Sequence, residues 1–254
     1  MTGYELTYSL GNIRAANTDT LLKPFEIRGA SKYGVMALHG ATTQDEFAVA
    51  DRWKSAKIAA HVAMAGIPVV AGRMSGDSFA NDFAMTDMTN ALPFLATSGC
   101  DTSKVHLIGF SMGMTLAIRW AAANLSKVAS IQGVIPATSI DRIYQTNAGG
   151  LRASVGTAWG VTYPTALPAG AILTSAYSAI AGSGIPVRLH YTSSDTTILP
   201  ADVATDAALL GVSGSNLVDL GGAFGHAERT IGLFDALGAG DSSDYINWIK
   251  GLGA

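Results

Sequence analysis

A serine hydroxyl attacks a carbonyl carbon only when a base takes its proton and fixed donors receive the oxyanion. The segment Gly109-Phe110-Ser111-Met112-Gly113 is built for that task. It follows the apolar run 105–108 and precedes the helical stretch Met114-Thr115-Leu116-Ala117-Ile118-Arg119-Trp120. A sharp strand-to-helix turn projects the hydroxyl, and the flanking glycines let the turn form. The helix start supplies backbone N–H groups where negative charge develops. A chain with 29 glycines meets G-x-S-x-G by chance, so the strand and helix on either side carry the signal.

Five histidines could supply the base. His61 falls inside a helical stretch, and His106 and His190 sit within apolar runs, where packed and hydrogen-bonded core residues are expected. His226 ends Gly221-Gly222-Ala223-Phe224-Gly225-His226, after the last apolar run. That is a turn at the carboxyl end of a strand, where functional groups of open parallel sheets gather. An acid must then hold the imidazole tautomer. Asp195, in the loop Thr192-Ser193-Ser194-Asp195-Thr196-Thr197, is the first candidate. Its other reading is a turn or capping Asp. Asp141 is the second candidate and Asp219 the third.

His39-Gly40-Ala41-Thr42 follows the apolar run 33–38. A glycine there lets the backbone turn, so that the Ala41 and Met112 N–H groups could form an oxyanion hole. Thr42, Thr43 and Gln44 are weaker candidates for side-chain donors.

These groups need a frame. Apolar runs at 33–38, 67–71, 105–110, 128–135, 185–191 and 216–220 suit strands buried on both faces. Helix-length segments lie at 47–65, 79–97, 112–125, 201–210 and 243–252. The alternation predicts an α/β fold with a mostly parallel sheet between helices. Residues 1–30 read as one or two edge strands. Residues 138–182, rich in small side chains, break the alternation and read as a cap or lid insertion, or else as a displaced helix with long loops. The length of 254 residues fits one domain, 1–254.

Composition excludes several classes. Charged residues are only 14% and the formal net charge is −3, with no basic run, so nucleic acid is not an expected partner. No stretch reaches the roughly 18 apolar residues of a transmembrane helix. The first residues lack a signal-peptide pattern, and one cysteine, Cys100, allows no intrachain disulfide, so a cytoplasmic setting is the expectation. Phosphate-loop, dinucleotide and zinc motifs are missing from the sequence, and no metal or cofactor is expected. Asn124-Leu125-Ser126 reads as a chance sequon.

The order Ser111, Asp195, His226, with His39-Gly40 upstream, resembles the α/β-hydrolase superfamily of serine esterases and lipases. The resemblance runs from about residue 32 to the C-terminus. It implies a mostly parallel sheet of about eight strands, a Ser-His-Asp triad and no cofactor, with Ala41 and Met112 as oxyanion donors. Met114 departs from the pattern, since many relatives carry a second glycine there. The implied activity is hydrolysis of small to medium or apolar carboxylic esters through an acyl-enzyme. Thioester or amide cleavage, acyl transfer, or a binding module on the same fold are the alternatives. His39, Met74, Phe79, Tyr144, Trp159 and Tyr163 are candidate substrate contacts, with Tyr177 a further aromatic of the insert.

Overall fold

The computed structural model describes residues 4–10, 18–24, 32–41, 62–63, 65–72, 74–221, 225–226, 246–249 and 251–252. The expected helix at 47–65 lies almost wholly outside them, as do Thr42, Thr43 and Gln44. Of the expected helix at 243–252, residues 246–249 are helical.

The strands are β1 (Tyr4–Leu10), β2 (Thr18–Pro24), β3 (Tyr33–Leu38), β4 (Val69–Gly72), β5 (Asp101–Phe110), β6 (Val128–Val134), β7 (Val187–Tyr191) and β8 (Leu217–Asp219). They form one sheet in the order β1-β2-β4-β3-β5-β6-β7-β8. β1 and β2 pair antiparallel at one edge, β2 also runs antiparallel to β4, and every later pairing is parallel. This is the α/β-hydrolase fold.

Period-two geometry divides the apolar runs between two cores. Met36, Leu38, Val105 and Leu107 face a larger cluster with Trp120 and Ile131. Val35, Ala37, Ile108 and Phe110 face a smaller one with Val69 and Val134. β5 starts four residues before its apolar run, and those four are not buried, so hydropathy alone could not place its start.

Helices α1 (Asp82–Ala96), α2 (Met112–Ala123), α3 (Ile140–Thr146), α4 (Arg152–Trp159), α5 (Thr174–Ser183) and α6 (Pro200–Leu209) complete the described frame. α1 begins three residues later than the apolar pattern suggests. Phe79 and Ala80 have φ of 41° and 58°, outside helical space, and Asn81 caps the helix by accepting from the Ala84 N–H at 3.1 Å. The 138–182 segment holds α3, α4 and most of α5, and α5 packs on α2 as the crossover between β6 and β7. No helix among the described residues is long and apolar enough to cross a membrane.

One core group sets a pH response. His106 on β5 is fully buried, with Nδ1 2.8 Å from Ser130 Oγ, and burial pushes its pKa down to about 4 from 6.5. Below pH 6.5 the unfolded chain takes up a proton that the folded chain refuses. The stability held above pH 6.5 is therefore lost as pH falls towards 4, by about 3 kcal/mol over that window. Urea unfolding at neutral pH and near the bottom of the window should show this loss, and the His106→Gln variant should show a shallower dependence. Equal slopes in both proteins would remove His106 from the account.

Candidate active site

Ser111 sits between β5 and α2 with φ 42° and ψ −115°, a conformation that L-residues rarely adopt. The turn survives because its backbone is bonded on both sides. Ser111 N–H donates to the Val134 carbonyl at 3.1 Å, and the Ser111 carbonyl accepts from Met114 and Ala137 N–H, each at 3.0 Å. The glycines of the motif answer to close approach. A Cβ on Gly109 would lie 2.6 Å from Met114 Cα, and one on Gly113 would lie 2.3 Å from the Leu38 carbonyl oxygen. α2 is thereby pressed against the end of β3. Met114 is accommodated by glycines in the sheet: its sulfur would be 3.1 Å from a Cβ on Gly133.

Three side chains meet across the sheet's carboxyl edge. Ser111 Oγ is 2.8 Å from His226 Nε2, and His226 Nδ1 is 2.7 Å from Asp195 Oδ2. A carboxylate can only accept, so Nδ1 carries the proton of a neutral imidazole. Nε2 is then the acceptor, and the Ser111 hydroxyl donates to it. The other oxygen of Asp195 accepts from the Thr197 and Ile198 N–H groups at 2.8 and 2.9 Å. The Asp195 side chain is 4% exposed and that of His226 is 11%. Both oxygens of this buried carboxylate are thus hydrogen-bonded, which offsets the cost of taking it out of water.

The competing acids have other work. Asp141 lies in the first turn of α3 and takes a long 3.4 Å bond from Gln145. Asp219 Oδ1 accepts from the Ser193 N–H at 3.1 Å and the Gly221 N–H at 2.9 Å. It thus ties the backbone before Asp195 to the backbone before His226, a positioning role that sequence reading missed. Asp219→Ala should lower kcat by about tenfold to a hundredfold, because a displacement of about 1 Å between reacting groups costs that much. Asp219→Asn keeps the acceptor and should restore most of the rate. If the Asn variant is as slow as the Ala variant, the tether is not what matters.

The candidate oxyanion donors flank the serine. Gly40 packs on it so closely that a Cβ there would lie 3.4 Å from Ser111 Cβ, and Ala41 follows directly. Met112 is the first residue of α2, where an N–H has no acceptor within the helix. His39 is buried, and its Nδ1–H donates to the Gly40 carbonyl at 2.7 Å, which holds the turn.

The other candidate contacts scatter. Met74, Phe79 and Tyr144 are buried in the larger core. Trp159 donates from Nε1 to the Phe79 carbonyl at 3.0 Å, pinning α4 to the turn before α1. Tyr163 is 45% exposed and stacks edge-on against Tyr144, with ring centroids 5.7 Å apart. Tyr177 donates its hydroxyl to the Thr138 carbonyl at 2.6 Å, and burial pushes its pKa up, which keeps it a donor.

α3 braces the acid loop. Arg142 makes a two-pronged bond to the buried Asp206 of α6 at 2.7 and 3.1 Å, and Thr138 donates to the same carboxylate at 2.6 Å. Ser139, Arg142 and Ile143 line a small gap with Thr197 and Ile198, whose N–H groups hold Asp195. Among the described residues, no group of three or more His, Cys, Asp or Glu is placed to hold a metal ion.

No family model matches the chain, and no curated protein matches it in sequence. Solved structures match it in shape. Est1E from Butyrivibrio proteoclasticus superposes with a TM-score of 0.64 at 12% identity, over 97% of this chain and 96% of that one. Esterase B from Lactobacillus rhamnosis gives 0.68 at 16% identity, over 98% and 86%. The haloalkane dehalogenase DbeA from Bradyrhizobium elkani gives 0.61 at 16% identity, over 98% of each chain. The fold is shared by all three, while their names span more than one chemistry.

Proposed function

We propose that the chain is a serine hydrolase that cleaves carboxylic esters. One observation carries this reading: the unbroken relay from Ser111 Oγ to His226 to Asp195, at 2.8 and 2.7 Å, on a strained strand-to-helix turn. A binding-only domain has no physical need for that relay or for the strain.

In this reading His226 Nε2 takes the Ser111 proton as Oγ attacks the ester carbonyl. The carbonyl oxygen becomes an oxyanion, held by the Ala41 and Met112 N–H groups. His226 returns the proton to the departing alcohol, leaving an acyl group on Ser111. Water then gives a proton to the same nitrogen, attacks the acyl carbon, and releases the acid and the free serine. Asp195 stays ionised and orients the imidazolium. No cofactor enters any step. Small acyl or apolar esters fit the low charge of the 138–182 segment, which we read as a cap. One cysteine in 254 residues fits a reducing compartment.

The test is intact mass after treatment with a fluorophosphonate, followed by peptide mapping. The expected result is one adduct, on Ser111, absent in the His226→Ala variant. Rates on matched ester, thioester and amide substrates then rank the reactions of the same relay, with the ester expected fastest. No adduct on the native protein would overturn the proposal.

A further inference from the structure

The inserted helices border an open cavity that shares no lining residue with the triad. It holds about 680 Å³ between α3, α4 and the turn after α4, and Arg152, Ala153, Val161, Tyr144 and Tyr163 line it. Pockets that take small organic ligands have volumes of roughly 300–1,000 Å³.

Arg152 is the only charged residue in 143–187. Its guanidinium lies over the Tyr163 ring, 4.0 Å from the centroid. Nε donates to the Tyr144 carbonyl at 2.7 Å and Nη2 to the Gln145 carbonyl at 2.6 Å. Those two bonds occupy the side edge of the fork and cap the end of α3. The end edge, with one N–H of Nη1 and one of Nη2, makes no hydrogen bond to any described residue, and neither does the remaining N–H of Nη1. No carboxylate of the described residues answers its charge. The group is thus fixed in orientation by two carbonyls and an aromatic face. Its remaining donors have the spacing that binds a carboxylate bidentately.

We propose that this cavity is a binding site for a small monocarboxylate with an apolar or aromatic body. The carboxylate pairs with the end edge of Arg152. The body packs on Tyr163, Val161 and the small side chains of α4. The site is independent of the reaction proposed for Ser111, so either reading can fail alone.

The test uses benzoate as probe and neutral benzamide as control, followed by calorimetry and ligand-observed NMR on the full chain. Benzoate is expected to bind with a Kd on the order of 1 mM, and benzamide at least about tenfold more weakly. Phosphonylation of Ser111 should leave benzoate binding unchanged. Arg152→Gln should abolish it, but that change also removes the cap of α3. Ala153→Asp avoids this cost. Ala153 is exposed and lines the same cavity, so an added carboxylate there competes for the fork and leaves the α3 cap in place. It should weaken benzoate by at least about tenfold without moving Tm. No binding up to about 50 mM benzoate would overturn the proposal. So would equal affinity in wild type and Ala153→Asp, or loss of binding on phosphonylation of Ser111.

Discussion

Ser111→Ala is expected to lower kcat on a short-chain aryl ester by about 10⁴- to 10⁶-fold, with little change in KM or Tm. The substitution keeps Cβ, so the strained turn and its three backbone bonds remain. Only the nucleophilic oxygen is lost, together with its bond to His226 at 2.8 Å. On the proposed reaction the candidate oxyanion donors stay, and they account for the residual rate. His226→Ala should cost about as much, and the double variant little more than either, because the two groups act as one unit. Initial rates for the three variants, read beside thermal unfolding, decide the matter. A Ser111→Ala protein with even a tenth of the wild-type rate would move the chemistry elsewhere.

Gly113→Ala is expected to damage the fold and the chemistry together. The new Cβ would lie 2.3 Å from the Leu38 carbonyl oxygen, 2.6 Å from its carbon and 2.7 Å from the His39 carbonyl oxygen. All three are backbone atoms, so no side chain can swing aside. α2 must move off the end of β3, which costs about 3 kcal/mol, the upper part of the overpacking range. In a chain of this length that lowers Tm by roughly 6–12 °C. The same shift carries the Met112 N–H away from the turn that holds Gly40 and Ala41. On the proposed reaction, kcat should fall by at least about a hundredfold, the usual cost of one lost oxyanion donor. Scanning calorimetry and ester turnover on the same preparation test both halves. An unchanged Tm would show that the helix has room that the geometry denies it.

The local sequence determined a good deal. Apolar runs separated by helix-length segments marked the strands β3 to β8 within a few residues, since burial on both faces demands such runs. Gly109 and Gly113 around Ser111 announced a turn where backbones touch, because no other residue fits there. The position of His226 after the last strand followed from the same logic. The later start of α1 was less legible: Phe79 and Ala80 have ordinary helix-compatible side chains, and only their positive φ excludes them.

What the sequence left open was decided at long range. Asp141, Asp195 and Asp219 are all carboxylates near strand ends, and nothing local ranks them firmly. The structure gives His226 to Asp195, 31 positions away, and leaves Asp219 as a backbone tether. Aromatic residues of 138–182 read alike in sequence, yet Tyr144 is core, Trp159 is a pin and Tyr163 is exposed. Arg152 drew no notice, since its meaning lies in the two carbonyls and the ring that fix it. Periodicity and turn chemistry depend on residues a few positions apart, so the sequence alone determines them. Which carboxylate meets which imidazole depends on how separate strands end at one edge, and only the folded sheet decides that.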